Sequence, residues 1–408
     1  MKILHITGGN INSGAFKGVY YLHNALKKKS IKSNIFNLDY LSIKNNRNFF
    51  FKIFKFYLSL NILFDKLPKL FYPNRSNSSF SSNNFGLDVT KFNIYKDSDI
   101  IHLHWVNNGH LPIKILKKID KPILWTVRDM WPYTGGCHYS LSCKKYMSYC
   151  GSCPILKSKK TKDISWRNYL NKKLYFKKID HVVTISNWLN KDLKKSKIFN
   201  IKNITTIYNG ISKNTFFPIK KEVARKELKI LTNKKIILYG ADNFHSEVKG
   251  YKYFLKMLNY LDNRKYYLIF FGHAWDLNEV IKKKFEFKNF YFVNNEKTLR
   301  KIYSAADLSV FPSLQEAFGK TALESIFCGT PTVCFEKTGM AEIIIHKKNG
   351  FLSRYKNTKD LSVGVDWVIK NKKKLNLKKN INNFEIENIS KRYYSLYKKI
   401  LKNKKDIN

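Results

Sequence analysis

Short β-branched runs alternate with amphipathic helical stretches along almost the whole chain, and the alternation begins twice. "MKILHIT" reads as a strand, "GAFKGVYYLHNALKKK" from Gly14 as a helix with apolar residues at helical spacing, and "SNIFNLDY" as a second strand. "SDIIHLHW", "KPILWTV", "HVVTIS" and "NITTIYNG" follow, each ending in a polar or glycine-containing turn. Strand, helix, strand implies a parallel sheet, because parallel neighbours need a crossover between them. The pattern restarts at "KKIILYGAD" and continues through "YYLIFFGHA", "FYFVN", "LSVFPS" and "TPTVCF", with helices from about Gly250, through Tyr303 and from Lys320. The expected class is α/β, with two doubly wound domains facing each other across a cleft at the ends of their sheets, where chemistry belongs.

At 408 residues, 44% of them hydrophobic and 15% aromatic, the chain can bury two cores. A net charge of +47 invites a nucleic-acid reading. The distribution argues against it: Lys is scattered with Asn through loops and helix faces, with no aromatic RNA-binding signature, so no specific nucleic acid is expected. An anionic membrane surface or a phosphate-bearing substrate fits better. The start "MKILHITGG" has no secretory pattern, and a cytoplasmic location is expected, peripheral at the inner membrane face. The apolar stretch from Phe49 to Phe64 is broken by Lys52 and Lys55 and falls short of the roughly 20 residues a span requires. As a helix it places Lys52, Lys55, Ser59 and Lys66 along one side, while Asn61 and Asp65 spoil the apolar remainder. It reads as an interfacial helix or as one docked on its own domain. "NRSNSSFSSNN", from Asn74 to Asn84, has linker composition and is expected to be a mobile loop.

The sharpest chemical signal is "FPSLQEAFGKTALESIFCGTPTVCF", from Phe311 to Phe335. Glu316 precedes a Phe-Gly turn, and a helix from about Lys320 carries Glu324 on its second turn and reaches Gly329, suited to a C-terminal cap. The amides of Phe318, Gly319 and Lys320 at the helix start make an anion site. Carboxylates for sugar and ribose hydroxyls beside donors for phosphates are the parts a sugar diphosphate needs.

The sequence here resembles the retaining nucleotide-sugar glycosyltransferases of family four, which have the GT-B architecture of two Rossmann-like domains. The resemblance rests on "PSLQEAFGKTALESIFCGTPTV", "YNGI" at Tyr208 to Ile211, "VKGYKYFL" at Val248 to Leu255 and "TGMAEIIIHKKNGFL", and spans most of the chain. It implies that Glu316 contacts the donor sugar, Glu324 the ribose, and Lys249 the diphosphate, whose departure builds negative charge. The Arg that commonly follows the glycine of the preceding strand is absent, since "YGADNFHSEVKG" has Ala241 after Gly240. Gly14 and Ala15 fall where the family's first glycine turn approaches the donor phosphates. The donor would be a UDP- or GDP-sugar, no catalytic metal is expected, and the acceptor would be a saccharide or lipid-linked saccharide. Residues 1–214 with the helix at about 385–408 would form the acceptor-side domain and residues 215–384 the nucleotide-sugar domain, closing by a hinge that excludes water.

In "HLHW", His104 is expected to make a polar contact to acceptor or donor and His102 to pack; no third ligand is in place to make the pair a metal site. Where the family commonly has a His after the strand "LWTV", this chain has Arg128, followed by Asp129. Arg cannot act as a base. A family mechanism in which a donor phosphate oxygen takes the acceptor proton does not need one. Arg128 would bind phosphate or orient Asp129, and Asp129 would hold the acceptor hydroxyl; a structural Arg-Asp ion pair is the alternative. The run "DMWPYTGGCHYS" with its cysteines resembles a subgroup of these enzymes in bacterial surface-polysaccharide assembly (O-antigen, capsule or lipooligosaccharide). Cys137, Cys143, Cys150 and Cys153 all lie in this loop. A structural zinc is one reading and metal-free thiols the other, with disulfides disfavoured in a reducing compartment. Cys328 and Cys334 read as core. Besides transfer, a GT-B epimerase or phosphorylase and a non-catalytic basic adaptor remain as alternatives.

Overall fold

The computed structural model describes residues 1–44, 49–199, 203–273 and 277–405; the side chains of 44, 49–52 and 405, Lys52 among them, lie outside the described residues. The chain divides into two compact units, Met1–Gly210 with Ile386–Asn408, and Ile211–Glu385.

The first unit is built on six parallel strands, β1 (Lys2–Ile6), β2 (Lys32–Phe36), β3 (Ile100–Leu103), β4 (Ile123–Val127), β5 (His181–Thr184) and β6 (Ile204–Thr206), in the order β2-β1-β3-β4-β5-β6. β3 and β4 are buried at every residue, which is why they read as continuous rather than alternating apolar runs: both faces are covered. The helix Ile386–Lys405 supplies Ile389, Tyr393, Tyr397 and Ile400 to the cluster around Ile3, Ile100, Leu124 and Val183. It also closes two polar gaps in that core, with the Tyr397 hydroxyl 2.7 Å from His102 Nδ1 and the Tyr393 hydroxyl 2.9 Å from Thr126 Oγ1.

The second unit has β7 (Lys235–Asn243), β8 (Tyr266–His273), β9 (Glu286–Asn289), β10 (Leu308–Phe311), β11 (Thr332–Phe335) and β12 (Gly350–Ser353), in the order β12-β11-β10-β7-β8-β9, again parallel. The order reverses at β7 and β10, so the loops leaving those two strands flank the switch point where such sheets bind ligands.

Asp307 ties this unit together just before β10. It accepts from the Ile236 amide (2.8 Å) and pairs with Arg225 (2.8 Å), Lys372 (3.0 Å) and Lys221. Burial alone would raise its pKa; Lys372 and Lys221 outweigh it and hold the carboxyl well below the usual range. Asp307→Ala leaves three cations without their anion and should cost about 3–5 kcal/mol of unfolding free energy, read by chemical denaturation. Because the folded pKa is depressed, this stabilisation is present above the unfolded value near ~4 and is lost as pH falls below it.

Two expectations need correction. The strand read at "FYFVN" lies earlier, at Glu286–Asn289, because Tyr291 takes a left-handed backbone (φ 52°) that ends the ladder. The segment 74–84 is not a mobile linker at its C-terminal end: Phe80, Ser81, Ser82 and Asn83 are buried. Asn83 Nδ2 donates to the carbonyls of Val106 and Leu111, Ser81 N to that of Gly136, and Trp131 Nε1 to that of Ser81. Its serines and asparagines satisfy buried backbone rather than water.

Candidate functional site

In the second unit the site is built from the ends of β7 and β10. After β7 the chain makes a short turn (Glu247–Lys249), and Gly250 (φ 69°) opens the next helix, Tyr251–Leu258. A Cβ on Gly250 would sit 1.8 Å from the Pro312 carbonyl oxygen, so only glycine lets this helix start approach the β10 exit. Leu314 N then donates to Val248 O (2.8 Å), locking the two loops. The result is a Lys249 Nζ to Glu316 Oε2 distance of 2.7 Å, with Lys249 about a quarter exposed. Glu316 is held from behind: its carbonyl accepts from Gly339 N at 2.8 Å.

The helix Lys320–Phe327 begins at Gly319, whose left-handed backbone (φ 94°) and contact with Met340 leave no room for a side chain. The loop that carries Glu316 thus runs directly into this first turn through Phe318, Gly319 and Lys320. Glu324 is only 5% exposed. Its Oε2 accepts from the Tyr303 hydroxyl (2.8 Å) and its Oε1 pairs with Lys320 (3.2 Å). Glu316 and Glu324 are thus both cation-paired carboxylates, the first 13% exposed and the second buried. The Thr338 hydroxyl, one residue from Gly339, is buried with no protein partner among the described residues. A bound hydroxyl or phosphate would satisfy it.

In the first unit the ends of β1, β3 and β4 carry a second polar cluster. Arg128 donates to Asn209 Oδ1 (3.0 Å) and to His104 Nδ1 (3.2 Å), and its Nε has no partner among the described residues. Burial lowers the pKa of the guanidinium to about 10, and no carboxylate lies within ion-pair distance of it among the described residues. Gly18 makes the space, since a Cβ there would lie 2.7 Å from the guanidinium. A half-buried cation held only by neutral partners is an anion-seeking group.

The expected link between Arg128 and Asp129 is not found. Asp129 turns the other way, to His138 Nδ1 (2.6 Å), Trp105 Nε1 (3.0 Å) and the Trp131 amide (2.9 Å). Adjacent residues leaving a strand end point to opposite sides, and two donors on its own loop with one from the β3 exit hold the carboxylate there. His138 Nε2 continues the chain to Ser81 Oγ (2.9 Å).

The histidines differ from expectation in one respect: a third does converge. His5, His102 and His104 place ligand nitrogens within 4.8 Å of one another. Five of their six ring nitrogens are engaged otherwise, and His5 Nε2 is buried with no partner among the described residues. His102 is bonded to Tyr397 and Thr126, and His104 Nε2 lies 3.0 Å from His5 Nδ1. Burial, then neighbouring His residues and Arg128, push all three pKa values well below the usual, so they are neutral. Arg128 donating to His104 Nδ1 fixes the proton of His104 on Nε2.

Gly14 opens the helix Gly14–Lys27 behind the N-cap Ser13, followed by Ala15, with open space where a Cβ would be. The glycines this turn requires are the preceding pair. Gly9 has φ 75° and donates to His110 Nε2 (3.0 Å), and a Cβ on Gly8 would strike the His110 ring.

Residues 13–214 match the family model Glycosyltransferase Family 4, and residues 220–384 match Glycosyl transferases group 1. The chain is a glycosyltransferase of the family-four, GT-B type. An uncharacterized glycosyltransferase of Methanocaldococcus jannaschii is 25% identical over 344 residues, 76% of this chain and 85% of that protein. The N,N'-diacetylbacillosaminyl-diphospho-undecaprenol alpha-1,3-N-acetylgalactosaminyltransferase of Campylobacter jejuni is 29% identical over 227 residues, 52% of this chain and 57% of that protein. Anabaena HepE, solved in complex with UDP and glucose, shares the fold with a TM-score of 0.59, at 14% identity over 98% of this chain and 99% of that one.

Several groups that shape this glycosyltransferase's clusters were not singled out from sequence. Asn209 lies within the quoted "YNGI" and turns out to hold Arg128. His138 stands beside Cys137 in the cysteine-rich loop, where the cysteines drew attention away from it. Thr338 opens the quoted "TGMAEIIIHKKNGFL" without standing out in it, and Tyr303 gave no signal because its bond to Glu324 spans 21 residues.

Proposed function

We propose that this glycosyltransferase moves a sugar, with retention, from a nucleoside diphosphate sugar to a lipid-linked saccharide at an anionic membrane face in cell-surface polysaccharide synthesis. The observation that carries the donor half is the Lys249–Glu316 pair at the switch point of the second unit, set against the first turn of the helix bearing Glu324. Lys249 neutralises the departing diphosphate, the helix amides and the Thr338 hydroxyl receive phosphate or sugar oxygens, Glu316 positions the sugar, and Glu324 takes the ribose. HepE, of like fold, is solved with UDP and glucose, and the same donor class is assigned here. Arg128 meets a phosphate, Gly14 and Ala15 leave room for one, and His104 holds Arg128 in place.

The acceptor half rests on the helix Phe49–Lys66 and the turn Leu67–Phe71, whose exposure is inverted. Its polar Asn61 and Asp65 are buried, Asp65 accepting from the Asn84 amide, while Phe56, Leu70 and Phe71 are 66%, 63% and 85% exposed. Gly109 lets the helix backbone dock closely, since a Cβ there would lie 2.7 Å from Ile62 N. Polar residues inward and aromatic ones outward, with Lys55 and Lys66 alongside, suit a lipid surface. The named acceptor of the Campylobacter jejuni relative is a diphospho-undecaprenol-linked sugar, in keeping with such a site. No described helix is long and apolar enough to cross a membrane.

Leu70→Asp with Phe71→Asp should abolish flotation with anionic vesicles while leaving transfer to a detergent-dispersed acceptor within about twofold. Equal flotation of wild type and variant would remove the membrane assignment. The activity itself is tested by supplying UDP- and GDP-sugars with a polyprenyl-diphosphate saccharide and reading the product anomer by NMR. The α-product from an α-donor is expected; an inverted product, or isomerised donor with no acceptor present, would contradict the proposal.

A further inference from the structure

The four clustered cysteines are not explained by sugar transfer. Between the short turn Trp131–Tyr133 and the helix Ile164–Tyr175 the chain forms only one three-residue helical turn, Lys145–Met147. A loop of that length with so little backbone pairing needs another constraint to keep one shape. Cys137, Cys143, Cys150 and Cys153 all line a single small cavity within it, and all four are free thiols.

We propose that these four sulfurs bind one zinc ion that fixes the loop. Three features beyond their spacing support a charged tetrathiolate rather than four inert thiols. The amides of Ile155 and Leu156 are directed at the Cys153 sulfur, the arrangement of a metal knuckle in which a coordinated thiolate accepts from the residues two and three places on. Gly135 N donates to the Cys150 sulfur at 3.2 Å.

The third feature is Lys172. It is fully buried, donates to the carbonyls of Trp131 (2.5 Å) and Thr134 (2.9 Å), and lies 3.3 Å above the Trp131 ring. No carboxylate is within ion-pair distance of it among the described residues, and the groups whose charge reaches it include Cys137 and Cys150. Four thiolates on a divalent cation carry a net charge of about −2, which Lys172 partly offsets from the protein side. The two carbonyls, the Trp131 ring and the more distant Asp129 favour the ammonium as well.

The sulfurs surround the cavity, but no three of them lie within 4.8 Å of one another, whereas tetrahedral zinc, with bonds of about 2.3 Å, needs all four about 3.8 Å apart. Cys143 and Cys150 are the half-exposed members, and the proposal requires the sulfurs to close to that separation as the loop folds onto the metal. Gly135 and Gly136 hold the backbone that brings Cys137 to the cavity: a Cβ on the first would strike the Ser165 carbonyl and on the second the Phe80 ring.

The test is metal analysis of untagged full-length protein by plasma mass spectrometry, with cobalt(II) substitution as a second readout. About one zinc per chain is expected, unchanged in Cys328→Ser with Cys334→Ser and lost in Cys143→Ser, the substitution least able to disturb packing. Cobalt should give the intense absorption of a four-coordinate thiolate site. Wild-type protein that holds less than about a tenth of an equivalent of zinc, both as purified and after dialysis against zinc, would overturn the proposal, as would iron in place of zinc. Full zinc retention in both Cys143→Ser and Cys153→Ser would do the same. Since wild-type protein decides the matter, a variant that fails to fold does not blunt the test, and loss of sugar transfer plays no part in it.

Discussion

Lys249→Ala should lower the turnover of sugar transfer by about 30- to 1,000-fold, a loss of roughly 2–4 kcal/mol of transition-state stabilisation. The size follows from preorganisation. Lys249 is fixed by the close approach of Gly250 to Pro312, by the Leu314 to Val248 bond and by its 2.7 Å contact with Glu316, so it pays little reorganisation when charge develops on the leaving diphosphate. An interaction that strengthens as the glycosidic bond breaks appears in kcat more than in KM. Steady-state kinetics of nucleoside diphosphate release measures the split. A loss under about twofold would mean that another cation meets the diphosphate, with Lys320 the nearest alternative on the helix start. Lys249→Arg is expected to recover part of the rate, because the charge is kept while the geometry is not.

The second large effect separates the two glutamates. Glu316→Gln should reduce kcat by about a hundredfold with the donor KM within a factor of about three, whereas Glu324→Gln should raise the donor KM about tenfold with little change in kcat. The conservative amide is the right substitution at Glu324. Alanine there would leave the buried Tyr303 hydroxyl without its acceptor and take the carboxylate from Lys320, and the kinetic effect would be mixed with a folding defect. At Glu316 the amide removes the charge that steadies Lys249 while keeping the shape. Equal and small effects at both positions would dissolve the donor-site assignment.

The fold was legible because its central strands are buried on both faces. Runs such as "IIHL" and "ILWTV" announce themselves without needing a period, and the restart at "KKIILYGAD" marks a second sheet. β9 was displaced because "EFKNFYFV" offers two equally good registers, and only the left-handed Tyr291 chooses between them. The polar segment ending at Asn84 misled for a physical reason: serine and asparagine serve equally in a solvated linker and in a buried one that supplies hydrogen bonds to other loops. In the helix Phe49–Lys66, Asn61 and Asp65 looked like flaws in an apolar face and are instead the face that docks.

At the candidate site, residues joined by short-range motifs were readable, and those joined through space were not. Glu316, Glu324 and Lys249 stand in recognisable runs. The third histidine, His5, lies 99 residues before His104 and becomes its neighbour only through the pairing of β1 with β3. Arg128 and Asp129 are adjacent in sequence, yet the strand exit sends one to His104 and Asn209 and the other to His138. Adjacency suggested an ion pair that the geometry of an extended backbone prevents.

Thermal unfolding of wild type and Lys249→Ala across a panel of UDP- and GDP-sugars tests the central claim, that Lys249 and Glu316 belong to a nucleotide-sugar site, most directly. A ligand that binds only the folded protein raises apparent stability in proportion to the logarithm of its concentration. At least one nucleotide sugar should shift the wild-type midpoint upward in this way and shift Lys249→Ala much less at the same concentration. No shift with any nucleotide sugar, or an equal shift in both proteins, would contradict it.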